Sequence, residues 1–104
     1  MVVEQQLEFK FQTEWIREYA RAWSPMEAGF TYAPEVLRRA NVFIVDLRNL
    51  LRNGVVTYDE KLDGPGALWI VEGDDGDGNL IVAEIVVISE ELDVTVRSVS
   101  RVVY

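Results

Sequence analysis

The chain of 104 residues contains no cysteine and no histidine. Without cysteine, neither a disulfide framework nor a thiolate metal site can form. Without histidine, the commonest general base and the commonest protein ligand for metals are both missing. The sequence therefore predicts no cofactor and no metal site, and it argues against most acid–base and nucleophilic catalysis.

Long hydrophobic runs are also lacking. The longest apolar segment, Leu80 to Ile88, is interrupted by Glu84 and is far shorter than the roughly 20 residues that a membrane-spanning helix needs. The first residues, MVVEQQLEFKFQ, have no basic region ahead of an apolar one, so no signal peptide is predicted. We expect a single domain over residues 1–104, located in the cytoplasm and without membrane contact.

Basic residues are nearly absent from one third of the chain. The formal net charge is −8, and the excess lies in residues 59–93, which hold eleven acidic residues and one base, Lys61. A segment of this kind repels phosphates, so direct nucleic-acid binding through it is disfavoured. Its charge asymmetry instead favours a basic protein partner.

The N-terminal half predicts one strand followed by helices. Leu7, Phe9 and Phe11 alternate with polar residues, which is typical of a strand with one buried face. Thr13 is then expected to cap a helix that runs to about Trp23 and buries an apolar stripe. Residues 34–53 predict further helical structure, either one bent helix or two, with the glycine of Asn53-Gly54 in a left-handed C-cap conformation.

The rest of the chain predicts four strands. Asp-Gly pairs at Asp63-Gly64 and Asp77-Gly78 are hairpin turns, so the strands should form an antiparallel meander. The expected fold is α+β: an N-terminal strand, two or three helices, and a four-stranded antiparallel meander with the helices packed on one face. Both alternating sets of residues in Leu80 to Ile88 are mainly apolar. This pattern predicts a central strand buried on both faces and favours a homodimer.

Two chemical interpretations of the acidic segment are disfavoured. In DDGDGN, a calcium loop starting at Asp75 would need glycine at its sixth position and glutamate at its twelfth, where the chain has Leu80 and Val86. Glu72 and Glu84 could pair across a hairpin as catalytic carboxylates, but an exposed, solvated pair is the favoured interpretation.

The segments YAPEVLRRANVFIVDLRNLLRNG and WIVEGDDGDGNLIVAEIVV resemble the domain-of-unknown-function 4258 family, which is related to RelE/BrnT-type ribonuclease toxins. The similarity covers about residues 30–103. The positions that match the family pattern are Tyr32-Ala33, Asn41-Val42, Asp46-Leu47, Gly54, Gly73, Asp75 and Gly78.

This resemblance implies a RelE-like fold and, if the activity were present, a ribonuclease site at Tyr32, Arg97, Arg101 and Tyr104. Tyr32, however, stands where the family has histidine, and Val36 stands where it has a nearby arginine. Both departures argue against catalysis.

The sequence thus predicts a non-catalytic, acidic binding or inhibitor protein that engages a basic, nucleic-acid-binding site on another protein. Such a protein could mimic nucleic acid, as phage and mobile-element inhibitors do, anti-CRISPR proteins among them. The alternative is a toxin–antitoxin component with ribonuclease activity. The candidate partner-binding residues are Asp59, Glu60, Asp63, Glu72, Asp74, Asp75, Asp77, Glu90, Glu91 and Asp93.

Overall fold

The fold is α+β, in a computed structural model that describes residues 8–23, 29–74 and 78–102. Within those ranges the elements are, in chain order, α1 (Lys10–Arg21), β1 (Thr31–Tyr32), α2 (Pro34–Ala40), α3 (Ile44–Asn53), β2 (Val55–Lys61), β3 (Ala67–Asp74), β4 (Leu80–Ile88), a 3₁₀ turn (Ser89–Glu91) and β5 (Asp93–Val102). No helix in these ranges has both the length and the apolar character needed to cross a membrane.

The sheet has the order β1-β5-β4-β3-β2. Strands β2 to β5 form the expected antiparallel meander, whereas β1 adds a short parallel pairing to β5, with Tyr32 opposite Val96. The sheet is therefore five-stranded and mixed, and the prediction of four strands missed β1. Two residues are too few for a periodic pattern, which explains why the sequence did not reveal this strand.

The N-terminal strand prediction is wrong for the residues that can be compared. Phe9 precedes α1 and Phe11 lies inside it, while Leu7 is outside the described residues. A helix beginning at Lys10 buries Thr13, Ile16 and Ala20 on one face, and that burial outweighs the local alternation of the phenylalanines. Thr13 is therefore an interior helical residue and not the cap.

The helical region 34–53 consists of two helices. Asn41 ends α2 in the left-handed conformation, with φ 57°, which asparagine tolerates better than most residues do. The expected left-handed C-cap at Gly54 is wrong, because its φ is −77° and its ψ is −178°. A side chain is excluded there for another reason: a Cβ atom would lie 2.6 Å from the carbonyl oxygen of Leu50 and 2.8 Å from that of Glu72.

The helices and one face of the sheet form the core. Buried residues of α1 and α3 cluster with Val71 of β3 and with alternate residues of β4, from Ile81 to Val87. The residues of β4 that alternate with these, from Leu80 to Ile88, are only half-buried. The prediction that β4 is buried on both faces is therefore wrong for a single chain. We call the face of the sheet on which these half-buried residues lie the outer face.

Two arginines tie α1 and α3 together at their C-terminal ends. Arg17 of α1 donates from Nε to the Gly54 carbonyl at 2.9 Å and from Nη2 to the Asn53 carbonyl at 3.0 Å. Arg52 of α3 donates in return to the carbonyls of Ala20 and Trp23, each at 3.2 Å. Each positive charge thus lies at the negative end of the other helix, where the helix dipole stabilises it.

Candidate functional site

A groove of about 510 Å³ runs along the solvent side of α1. Phe11, Trp15 and Tyr19 follow one another at intervals of four residues, so they lie on one face of the helix. The rings of Trp15 and Tyr19 stack with centroids 5.3 Å apart. Leu92, at the turn between β4 and β5, lines the same groove. We call this feature the aromatic groove.

Large apolar side chains of the aromatic groove are open to solvent. Phe11 is 72% exposed and Leu92 is 65% exposed. A helix in a small domain normally turns such residues inward, because each buried side chain of this size contributes about 1.5–3 kcal/mol. Here Ile16 and Ala20 face the core, Trp15 and Tyr19 are half-buried against it, and Phe11 extends the apolar strip into solvent.

The charge of the aromatic groove is negative. Glu14 and Glu18 line it, both are exposed, and no lysine or arginine is among the described residues that line it. These glutamates are four residues apart on α1, a spacing at which like charges destabilise a helix by a few tenths of a kcal/mol. The groove therefore presents aromatic and aliphatic surface together with two carboxylates.

Tyr19 connects the aromatic groove to the neighbouring turn. Its hydroxyl lies between the carbonyl oxygens of Leu92, at 3.1 Å, and Gly29, and it serves as a hydrogen-bond donor there. Burial raises the pKa of the Tyr19 phenol, the Asp93 carboxylate raises it further, and a hydrogen bond with Trp23 has the opposite effect. The phenol proton that holds this turn against α1 is thus retained to a higher pH than in an ordinary tyrosine.

A second concavity of about 280 Å³ lies beside the groove. Asp59, Lys61, Trp69 and Glu90 are among the residues that line it. Trp69 meets Trp15 of the groove edge-on, with ring centroids 5.7 Å apart. The linings of the two concavities are therefore in contact through these two indole rings.

Six of the candidate acidic residues belong to this end of the sheet. In a meander, the β2–β3 and β4–β5 connections lie at the same end of the strands. Gly66 of the first connection accordingly approaches the end of β4, since a Cβ on it would lie 3.0 Å from the Val87 carbonyl oxygen. Together with the two glutamates of the groove, these residues form what we call the acidic turn end: Glu14, Glu18, Asp59, Glu60, Asp63, Glu90, Glu91 and Asp93.

The remaining candidates are elsewhere. Asp74 is the last residue of β3 and lies at the opposite end of the strands. At about 3.4 Å per strand residue, it is roughly 25 Å from the start of β3. Glu72 accepts a hydrogen bond from the Thr57 hydroxyl at 2.7 Å on the outer face, and Asp75 and Asp77 lie outside the described residues. The eight described candidates therefore do not form one continuous surface.

The residues that the family resemblance implies for a ribonuclease are only partly brought together. Tyr32 pairs with Val96 and so lies next to Arg97. A β-bulge between Val96 and Ser98 interrupts the alternation of β5, so Arg97 and Arg101 are not in regular register. Arg101 donates from Nη1 to the Asn41 carbonyl at 2.9 Å, at the end of α2. Tyr104 is outside the described residues.

Comparisons with known proteins return no relative. No family model matches the chain. No curated protein and no solved structure matches it either. The similarity to the domain-of-unknown-function 4258 family stays an expectation from the residues alone.

Proposed function

We propose that the protein acts by binding and not by catalysis, and that its acidic turn end engages a basic site on another protein. The observation that carries the proposal is the meeting of eight carboxylates with an exposed aromatic groove at one end of the sheet. Opposite fields accelerate the encounter of two proteins, and buried aromatic anchors then hold the complex.

A rigid scaffold favours this role. Asp59 accepts a hydrogen bond from the Gln12 side chain at 2.7 Å, which fixes β2 against α1. The Glu60 carboxylate is hydrogen-bonded by the Tyr58 hydroxyl at 3.1 Å. Carboxylates that are already ordered lose less conformational entropy on binding than a flexible acidic tail would lose.

The partner class follows from the charge. A basic surface that accepts several carboxylates is typical of proteins that bind nucleic acid, because the same lysines and arginines contact phosphates. We therefore propose a cytoplasmic inhibitor that competes with nucleic acid for such a site. The acidic turn end, and not the more distant Asp74 region, is the surface we assign to it.

The test compares two triple charge reversals of equal size. Asp63, Glu90 and Glu91 changed to lysine alter the acidic turn end, whereas Asp74, Asp75 and Asp77 changed to lysine alter the chain segment between β3 and β4. Binding of an oligolysine peptide at low salt, measured by calorimetry, should be lost in the first variant and kept in the second. Equal losses in both variants would mean that net charge alone attracts the peptide, and the proposal would be wrong.

The alternative function, ribonuclease activity, rests on one observation, the position of Tyr32 beside Arg97. Catalysis of RNA cleavage by this pair would be sensitive to Tyr32→Phe and Arg97→Ala. Purified wild-type protein that cleaves RNA, with the activity lost in both variants, would replace the binding proposal. RNA that stays intact at high protein concentration excludes the alternative.

A further inference from the structure

The backbone at Leu92 adopts the left-handed conformation. Among described residues other than glycine, only Asn41 and Leu92 have positive φ, 57° and 51°. Asparagine can offset this conformation with its short polar side chain, whereas leucine cannot, and the strain is roughly 1–2 kcal/mol. The chain therefore keeps a strained leucine where asparagine or glycine would be more stable.

Burial does not explain this leucine. Its side chain is 65% exposed, so folding recovers little hydrophobic free energy from it. What the side chain does is form one wall of the aromatic groove opposite α1. Leu92 is thus a strained, exposed, apolar residue that lines a concavity of the surface, and such features are typical of docking sites.

The groove also has the dimensions and charge of a binding site. Its volume of about 510 Å³ lies within the roughly 300–1,000 Å³ that ligand pockets commonly have. Phe11 and the stacked Trp15 and Tyr19 supply apolar surface, while Glu14 and Glu18 supply negative charge beside it. An arginine or lysine can contact both the carboxylates and the aromatic faces.

We propose that the aromatic groove receives an amphipathic segment of the basic partner, with a large apolar side chain between Phe11 and Leu92 and flanking lysines or arginines at Glu14 and Glu18. This inference rests on the proposed function and adds the docking position and the partner's chemistry. Charge complementarity selects this occupant. A second copy would place acidic groove residues against an acidic chain, and residues 1–7 of the chain itself contain no lysine or arginine.

The experiment uses three short peptides on the full-length protein, with affinities measured by calorimetry. One is helical with a leucine face and a lysine face, one has the same leucines with glutamates, and one is oligolysine. The leucine–lysine peptide should bind most tightly and should retain binding at about 0.5 M salt, where exposed charges are screened within a few ångströms. The leucine–glutamate peptide should not bind.

Two groove variants locate the site. Leu92→Asn and Phe11→Ser should each weaken the leucine–lysine peptide about tenfold, a change of about 1.4 kcal/mol, and leave oligolysine binding nearly unchanged. Both replaced side chains are largely exposed, so folding is retained and is checked by circular dichroism. A leucine–lysine affinity that is unchanged in both variants would overturn the groove assignment.

The outcomes separate this inference from the proposed function. The lysine reversals at the acidic turn end could abolish binding while the groove variants do not weaken it. That result would support the proposed function and contradict the assignment of the groove as the docking site. Reversals without effect remove both. Deletion of residues 2–7 that strengthens leucine–lysine binding about tenfold would show that the chain's own N-terminus fills the groove, and the inference would be wrong.

Discussion

The hydroxyl of Thr13, inside α1, accepts a hydrogen bond from the backbone N–H of Val56 at 2.9 Å. Both residues are buried, and Val56 is the second residue of the edge strand β2. A buried backbone N–H requires an acceptor, since leaving one unpaired costs about 1–3 kcal/mol. Thr13 therefore fixes the start of strand β2 to α1.

Replacement of Thr13 by valine tests this relationship. Valine keeps the shape of threonine and removes the acceptor, so the free energy of unfolding in urea should fall by about 1–3 kcal/mol. Thr13→Ser is the control, because it keeps the hydroxyl and loses one methyl group, which is worth about 0.8 kcal/mol. A valine variant that is as stable as the serine variant would contradict the assignment.

The reciprocal arginines make a second stability prediction. Arg52→Met keeps the aliphatic stem but removes the donors to the Ala20 and Trp23 carbonyls. We expect a loss of about 1–3 kcal/mol in the free energy of unfolding, from the hydrogen bonds and from the helix-dipole interaction together.

Arg97→Met is the comparison for this loss. Arg97 is exposed, and a substitution of such a residue changes stability by no more than about 0.5 kcal/mol. Differential scanning calorimetry of the two variants should separate their transition temperatures, and coincident transitions would contradict the capping role.

Local signals in the sequence predicted the C-terminal half well. The four-stranded meander follows from alternating apolar residues and from turns such as Asp63-Gly64, which act within a few residues of each other. The contacts of Thr13 with Val56 and of Arg17 with Gly54 join residues that are 43 and 37 positions apart. Pattern analysis cannot anticipate such pairs, so the role of Thr13 was assigned wrongly.

The candidate site was predicted only in part, and the reason is geometrical. The sequence indicated an acidic third of the chain, and six of those residues do lie at one end of the sheet. The apolar stripe predicted for α1 comprised Trp15, Ile16, Tyr19, Ala20 and Trp23. Ile16 and Ala20 are fully buried, whereas the three aromatic residues are only partly buried against the core. The sequence did contain a signal for the groove: the apolar stripe of α1 is wider than the surface that a helix can bury against one sheet. Part of such a stripe has to stay outside the core.

The raised pKa of Tyr19 predicts how stability depends on pH. Burial, followed by the Asp93 charge, raises this pKa above its ordinary value of 10.0. The folded state therefore holds the proton longer than the unfolded state, and the contribution to stability is complete below pH 10 and is lost as the pH rises through the folded pKa. Urea unfolding between neutral and strongly alkaline pH should show this decline.

Two phenylalanine variants assign that decline. Tyr19→Phe should be less stable at neutral pH, because the bond to the Leu92 carbonyl is lost, and its stability should fall less steeply above pH 10. Tyr58, whose pKa is raised by its hydrogen bond to Glu60, is exposed, so Tyr58→Phe should retain the alkaline decline. An alkaline decline that persists unchanged in Tyr19→Phe would show that another group titrates.

The homodimer expected from the sequence would use the outer face. Half-buried Leu68 and Ile70 of β3 and Val82 and Val86 of β4 lie there on adjacent strands, with Leu68 directly opposite Val86. Val86→Lys would place a charge in that interface, so sedimentation equilibrium should shift from the mass of two chains to that of one. Phe11→Ser lies in the aromatic groove and should leave the mass unchanged. Wild-type protein that sediments as a single chain excludes the homodimer.

Leu92 links stability to binding in opposite directions. Its backbone has φ 51° and ψ 44°, close to the 57° and 44° of Asn41. Leu92→Asn should therefore raise the free energy of unfolding by up to about 1 kcal/mol, because asparagine is less strained in this conformation. The same variant should bind the leucine–lysine peptide more weakly. A gain in stability accompanied by a loss of affinity is typical of a residue kept for binding, whereas a variant that is less stable and binds equally well would mean that Leu92 is held in place by packing alone.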